Sequence, residues 1–225
     1  MNATHPNKPV CPVGEKHCVR LDELAVLRRE VDELNELVVH DALTGLYNAR
    51  HFQQALPAAL ELTRRSQRPC CLIMVDLDHF KNINDTWGHE VGNLALQQAA
   101  RIVTQQVRMV DTVCRYGGEE FAVILPDTRL RQAVDVAERI RTAIAQAPVV
   151  FDDGEFQMTT SLGVDTYTGS DDLSPGKFIE QADRLLYQAK QQGRNRVCHR
   201  DFEEVESNTA VSREERDALS ELFGK

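Results

Sequence analysis

The spacing of hydrophobic and polar positions changes along the chain, and each spacing predicts a different element. Over residues 21–39 apolar positions recur in steps of three and four, with Glu and Arg between them, which predicts a helix with a coiled-coil-like seam. A helix packed on its own domain and the end of a dimerising stalk both fit this pattern, and the charged flanks favour the stalk. The seam consists of Leu24, Leu27, Val31, Leu34 and Val38.

A continuous apolar run at residues 70–76 predicts a strand that is buried on both faces. Before it, Asn48 is placed to cap a helix over residues 49–66, which Pro57 should kink. Helices and strands alternate around the buried strand, which predicts an α/β (α+β) fold with helices flanking a central, mostly antiparallel-edged sheet. The remaining predicted elements are helical segments near 79–86 and 91–108, a hairpin of strands 113–116 and 121–125, a helix over 129–147, a hairpin of strands 149–151 and 156–167, a helix over 175–192 capped by Ser174 and ended by Gly193, and a strand over 196–199.

The composition narrows the classes of function. The 225 residues include 26 Lys and Arg against 35 Asp and Glu, and the formal net charge of −9 argues against a general binder of nucleic acid or anionic membranes. The apolar runs are too short for a membrane span, and residues 1–10 lack the apolar core of a signal peptide. We therefore expect a cytoplasmic protein whose six cysteines do not form a disulfide framework.

The two ends of the chain differ from the middle. Residues 1–20 carry three prolines and a glycine and are expected to be loosely ordered. Residues 200–225 read as a polar linker and a short helix that opens at Ser212. Doubled in a dimer, four N-terminal side chains could also hold Zn²⁺, although their spacing is not that of a zinc finger: His5, Cys11, His17 and Cys18.

Carboxylates and a lysine directly follow the buried strand. Asp76 and Asp78 lie at its carboxyl end, the edge at which open sheets bind ligands. Lys81 follows within one turn of the next helix, whose first backbone N–H groups, near His79 and Phe80, point outward. Carboxylates suit Mg²⁺, whereas amides and lysine suit phosphate oxygens, so the group favours a phosphate–metal site. A strand-end carboxylate that caps the next helix is the alternative.

The hairpin tip Gly117-Gly118-Glu119-Glu120 places two adjacent carboxylates in a turn. The glycines permit close backbone approach, whereas the glutamates repel each other unless a cation lies near them. If the tip lies beside Asp76, the three carboxylates form an oxygen site suited to Mg²⁺. A solvated acidic turn is the alternative.

Two cations lie at the end of the last long helix. Lys190 belongs to its final turn, and Arg194 follows the terminating Gly193. Taken alone, they complement the helix C-terminus, an interaction worth about 0.3–1 kcal/mol. Beside the carboxylates they would bind phosphate.

Together these segments resemble the GGDEF family of diguanylate cyclases, which condense two GTP into cyclic di-GMP and two pyrophosphates. Residues 117–121 read Gly-Gly-Glu-Glu-Phe, the GGEEF form of the family signature. The resemblance implies a palm-like nucleotidyl-cyclase domain over residues 41–199, after a helical segment at 21–40. It also implies a homodimer, because each domain holds one GTP. The matching segments are 41–48, 76–84 with Gly88, His89 and Gly92, 160–164, and 182–195.

The resemblance implies a role for each matching residue. Mg²⁺, or Mn²⁺, would be bound by Asp76, the Leu77 carbonyl, Glu119 and Glu120. Glu119 would also act as the base toward the attacking 3′-hydroxyl. The implied contacts to GTP come from Lys81, Lys190 and Arg194 at the triphosphate, the amides near His79 and Phe80, and Asn84, His89 and Asn93 as further substrate-binding positions.

Two further features of the sequence concern regulation and specificity. Arg108 and Asp111 precede Gly117 at the spacing of the family's product-inhibition motif, which implies feedback by cyclic di-GMP; a surface ion pair is the alternative. The family usually has Asp where this chain has Asn93. An amide presents its NH₂ to the guanine N–H donors, which opens the alternative of relaxed purine selectivity and a hybrid cyclic GMP–AMP. We expect Asn93 to be tolerated and cyclic di-GMP to remain the product.

Two other classes of protein compete with a cyclase. A nucleotide-binding module without turnover is the stronger alternative, and the intact Asp76, Lys81, Glu119 and Glu120 argue against it. A DNA-binding regulator is disfavoured because the chain is acidic and shows no recognition helix.

Overall fold

The computed structural model describes residues 23–31, 39–169 and 173–201. Residues 23–31 are helical, and the seam residues among them, Leu24, Leu27 and Val31, expose 41%, 54% and 54% of their surface. The predictions for residues 1–20, for Leu34 and Val38 of the seam, and for the C-terminal helix lie outside the described residues.

The architecture is the predicted mixed α/β fold with a mostly antiparallel sheet. The strands of this sheet are β1 (Tyr47–Asn48), β2 (Cys70–Leu77), β3 (Thr112–Arg115), β4 (Glu120–Leu125), β7 (Thr160–Tyr167) and β8 (Val197–His199). They lie in the order β1-β3-β4-β2-β7-β8, and the end pairs β1–β3 and β7–β8 are parallel. Strands β5 (Val149–Phe151) and β6 (Gly154–Phe156) form a separate hairpin.

Four helices flank the sheet: α1 (Ala49–Ser66), α2 (Phe80–Gln106), α3 (Leu130–Gln146) and α4 (Pro175–Gln191). The predicted caps are confirmed, because Asn48 accepts from the His51 amide and Ser174 accepts from the Lys177 amide. Helix α1 continues through Pro57. The two predicted segments of α2 meet at Gly88, whose φ of 82° and ψ of 165° interrupt the helix.

The core confirms that β2 is buried on both faces, since all eight of its residues are buried. Alternate side chains point to opposite sides of a strand. Cys71, Ile73 and Val75 pack with α2 and α3, whereas Leu72 and Met74 pack with α1 and α4. Helices therefore cover both faces of the sheet, which leaves the ends of its strands as the place where a site can form.

The predicted strand over 156–167 is wrong, because it forms two strands in two sheets. Its first residue belongs to β6, which pairs with β5, whereas β7 begins at Thr160 and pairs with β2. The break occurs at Thr159, whose carbonyl accepts from the Asp78 amide (2.9 Å) and whose hydroxyl donates to the Asp78 carboxylate (2.7 Å). These bonds turn the segment toward the end of β2.

The cysteines within the described residues, Cys70, Cys71, Cys114 and Cys198, are free thiols. Cys70, Cys71 and Cys114 are buried, and burial raises the pKa of each to about 12. Within residues 23–31, 39–169 and 173–201, no helix has the length and apolar character needed to cross a membrane.

Candidate functional site

The candidate site begins where β2 ends. Asp76 lies opposite Glu120 of β4 in the strand register, and its side chain is only 9% exposed. The Thr160 hydroxyl donates to the Asp76 carbonyl at 2.7 Å, which fixes the backbone at this point. The Lys190 ammonium lies 2.7 Å from Asp76 Oδ2, so the last turn of α4 reaches the end of β2.

The β3–β4 turn brings the two glutamates to the same strand end. The Leu77 amide donates to the Glu119 carbonyl (3.3 Å), and the Tyr116 amide donates to the Glu120 carbonyl (2.8 Å). A Cβ added at Gly117 would lie 2.5 Å from the Glu120 carboxylate, so a glycine here leaves room for that side chain. The turn therefore lies beside Asp76, which is the condition under which the sequence predicts an oxygen site suited to Mg²⁺.

Arg115 fixes the shape of this turn, a role that the sequence did not reveal. Its guanidinium donates to both oxygens of Asp41, at 3.2 and 3.1 Å, and to the Gly118 carbonyl, at 3.2 and 2.8 Å. Burial raises the pKa of Asp41, but hydrogen bonds from Thr44 and the charge of Arg115 outweigh it, and the pKa is lowered. The turn is thus tied to the segment that leads into the domain.

Helix α4 lies close to the sheet because β7 carries a glycine. A Cβ at Gly163 would overlap the Ala182 carbonyl and the Leu186 amide, so only glycine allows this approach. The approach brings in a second residue, Asp183, to which the sequence assigned no role. Burial and the charge of Asp76 raise the pKa of Glu120, and the charge of Asp183 adds to this effect. Burial also raises the pKa of Asp183 itself, against the charge of Lys190. The sequence signal was its position, seven residues before Lys190 on one helix face.

The electrostatics of the cluster favour cations. Burial raises the pKa of Asp76, opposed by the hydrogen bond and charge of Lys190 and reinforced by Glu119. Burial and the charge of Asp76 likewise raise the pKa of Glu120. In the conformation described, no three His, Cys, Asp or Glu side chains of the described residues converge as a metal site. Lys190 serves as the counter-ion at Asp76 instead.

Asp78 has different surroundings from Asp76, although both lie at the carboxyl end of β2. Its carboxylate accepts from the Thr159 hydroxyl (2.7 Å), the Ser161 hydroxyl (2.7 Å) and the backbone amide of Asn195 (3.0 Å). These bonds join the end of β2 to β7 and to the turn after α4. Asp78 therefore has a structural role in holding the site together.

The predicted substrate-binding residues Asn84, His89 and Asn93 lie on both sides of the Gly88 interruption in α2. The Asn84 side chain lies over Gly92, where a Cβ would overlap its Oδ1 atom, while His89 and Asn93 are exposed. Trp87 packs against the β5–β6 hairpin, with ring centroids 5.2 Å from Phe151 and 6.3 Å from Phe156.

The predicted phosphate-binding residues surround the start of α2 and the end of α4. Lys81 and His79 are exposed, and His79 adopts a left-handed φ of 56° just before the helix. The Phe80 side chain is 8% exposed and packs in the core, so only its backbone is available to a ligand. Arg194 is exposed and has a φ of 60°.

Arg108 and Asp111 lie apart from this cluster, in the turn before β3. The Arg108 amide donates to Asp111 Oδ2 at 2.7 Å, and the Asp111 amide donates to the Arg108 carbonyl at 3.0 Å. Both residues line two clefts of about 430 and 170 Å³. Asp111 Oδ1 is buried and has no hydrogen-bond partner among the described residues.

Comparisons with known proteins agree with this geometry. Residues 38–196 match the family described as the diguanylate cyclase GGDEF domain. Response regulator PleD of Caulobacter vibrioides is 40% identical over 173 residues, and Diguanylate cyclase A of Treponema denticola is 37% identical over 188 residues. These matches cover 76% and 81% of this chain but 38% and 50% of the relatives, so the chain spans half of their length or less.

Among solved structures, the coiled coil and GGDEF domain of DgcB from Caulobacter crescentus, in complex with c-di-GMP, superposes with a TM-score of 0.70. The two sequences are 28% identical, and the match covers 80% of this chain and 95% of that chain.

Proposed function

Because the chain belongs to the GGDEF family of diguanylate cyclases, we propose that it condenses two GTP into cyclic di-GMP and releases two pyrophosphates. The observation that carries the proposal is the cluster at the end of β2. There the buried Asp76, the Glu119-Glu120 turn and the Lys190 ammonium meet. Such a site suits a polyphosphate bound with a divalent cation.

The donors fit Mg²⁺, with Mn²⁺ as the substitute. Asp76, the Leu77 carbonyl, Glu119 and Glu120 supply the hard oxygen ligands that Mg²⁺ prefers. The raised pKa values of Asp76 and Glu120 support this assignment, because a divalent cation would neutralise the repulsion between these carboxylates. When bound, the ion neutralises charge on the attacked phosphate and on the leaving pyrophosphate.

The residues around the metal ligands bind and orient GTP. Lys81, Lys190 and Arg194 hold the triphosphate, assisted by the backbone N–H groups at the start of α2. Glu119 accepts the proton of the 3′-hydroxyl, whose oxygen then bonds to the α-phosphorus of the opposing GTP as the bond to pyrophosphate breaks. A second such step closes the ring, with the 3′-hydroxyl of the opposing GTP attacking the α-phosphorus of the first GTP and releasing the second pyrophosphate.

The reaction requires two domains that face each other, because each holds one GTP. The helical residues 23–31 support a dimer, since Leu24, Leu27 and Val31 repeat at seam spacing and are exposed. We therefore propose a second copy of this chain as the partner of that helix.

A second candidate product follows from Asn93. This exposed amide lies next to Gly92, over which Asn84 packs, and it replaces the carboxylate that the family usually has there. Adenine offers an acceptor and a donor that an amide can pair with, so a hybrid cyclic GMP–AMP is the alternative. In that case Asn93→Asp sharpens the preference for GTP; an unchanged ratio of GTP to ATP use rejects a role for Asn93.

Arg108 and Asp111 support feedback inhibition by cyclic di-GMP. Their turn is closed by two hydrogen bonds, which leaves the exposed Arg108 side chain beside the two clefts. Arginine can bind a phosphate or a guanine edge with two hydrogen bonds. Arg108→Ala should therefore relieve inhibition by added product, and inhibition equal to that of the wild type would reject the site.

Product analysis tests the proposed function. The purified protein is incubated with Mg²⁺ and GTP, ATP or both, and the products are resolved by mass, with Glu119→Gln as the control. Cyclic di-GMP that is absent from the control supports the cyclase, and a hybrid dinucleotide supports relaxed selectivity. Absence of any product across a range of protein concentrations contradicts the proposal and favours a nucleotide-binding module.

A further inference from the structure

Lys190 occupies a position that conflicts with metal binding. Its ammonium lies 2.7 Å from Oδ2 of Asp76, the carboxylate that the proposed function assigns to Mg²⁺. An ammonium and a divalent cation repel each other and compete for the same carboxylate oxygen. The ion pair with Lys190 therefore opposes metal binding at Asp76 until Lys190 moves to another anion.

The two partners of this ion pair differ in freedom to move. Asp76 is 9% exposed and is fixed by strand pairing on both sides and by the Thr160 hydroxyl. The Lys190 side chain is 31% exposed and extends from the last turn of α4 on a flexible stem. Separation of the pair therefore moves the lysine and leaves the carboxylate in place.

Lys190 also acts on the neighbouring carboxylates. Its charge opposes the effect of burial at Glu120 and at Asp183, as it does at Asp76. One side chain thus stabilises the charged forms of three acidic groups, and its removal would leave the repulsion between them unopposed. The bound triphosphate of the proposed reaction supplies the anion to which Lys190 can move.

We propose that Lys190 is an exchangeable counter-ion that couples metal binding to nucleotide binding. Without nucleotide it pairs with Asp76 and keeps the affinity for free divalent cations low. With nucleotide it binds the triphosphate and releases Asp76, so that metal and nucleotide strengthen each other's binding. The proposal rests on the proposed function, since it takes the metal ligands from there.

The test is a titration of nucleotide-free protein with Mn²⁺, in which free Mn²⁺ is followed by electron paramagnetic resonance. Lys190→Met should bind Mn²⁺ about tenfold more tightly than the wild type, within the usual range of coupling between two sites. Lys190→Arg keeps the charge and should bind Mn²⁺ as weakly as the wild type. Lys177→Met, an exposed lysine in the first turn of the same helix, is the matched control and should change nothing.

A second titration contains a non-hydrolysable GTP analogue. The analogue should tighten Mn²⁺ binding more in the wild type than in Lys190→Met. Equal Mn²⁺ affinity of the wild type and Lys190→Met without nucleotide overturns the proposal, as does equal tightening of both by the analogue. The titrations require no turnover, so a failure of the proposed activity appears separately, in the product analysis.

Discussion

Asp76 and Asp78 lie two residues apart at the carboxyl end of β2, Asp76 within the strand and Asp78 just after it. They are almost equally buried, with 6% and 4% of their surface exposed. Their surroundings differ completely. Asp78 accepts two hydroxyl hydrogen bonds and one amide hydrogen bond from residues of fixed position. Asp76 instead pairs with the end of a long lysine side chain and lies among other carboxylates.

The difference shows that burial alone does not identify a functional carboxylate. A buried charge is stable when hydrogen-bond donors satisfy it, and Asp78 meets that condition within the fold. Asp76 meets it through a partner that can be exchanged. Asp78 therefore maintains the structure of the site, whereas Asp76 is available for the proposed chemistry.

The largest effect is expected from Asp76→Asn, measured as the rate of cyclic di-GMP formation. Loss of a charged metal ligand should lower the rate by about 10³-fold, the scale of removing one transition-state-stabilising group. Thermal unfolding should show no loss of stability, because the amide removes a desolvated charge from beside Glu119 and Glu120. If the variant unfolds at a temperature well below that of the wild type, Asp76 has a structural role like that of Asp78.

The next effect is expected from Asp78→Ala, measured by denaturant unfolding. This substitution leaves the Thr159 and Ser161 hydroxyls and the backbone amide of Asn195 without their acceptor, which should lower the free energy of unfolding by about 3 kcal/mol. Asp127→Asn is the control, because it removes the charge of an exposed ion pair with Arg68 at a position whose left-handed φ of 48° asparagine tolerates, and it should cost about 1 kcal/mol or less. Equal losses in both variants would contradict the structural role of Asp78.

The smallest effect is a pH dependence of stability in the absence of metal and nucleotide. The pKa of Asp76 is raised above its ordinary value of 3.8, so just above that pH the folded protein binds more protons than the unfolded chain. This contribution to the unfolding free energy therefore falls as the pH rises from about 4 through the folded pKa. The Asp76→Asn variant lacks this titrating group, so the stability of the variant relative to the wild type should increase over that pH interval. Parallel stability curves for the two proteins would contradict the raised pKa.

Sequence patterns predicted the elements around the site well. The apolar run that ends at Asp76, the Asn48 and Ser174 caps, and the glycines of the β3–β4 turn all act through residues a few positions apart. The split between β6 and β7 was not predictable in this way, because the bonds that cause it join Thr159 to Asp78, 81 residues away in sequence.

Within the site, residue types indicated the chemistry, whereas packing decided the partners. The sequence by itself determined a buried strand that ends in aspartate, a two-glycine turn with two glutamates, and a lysine at a helix end, because period, caps and turns are local properties. Only the tertiary structure set Lys190 against Asp76, Arg115 against Asp41 and Asn195 against Asp78. The last two pairs are 74 and 117 residues apart in sequence, and such contacts form only when helices close onto a sheet, as Gly163 allows for α4.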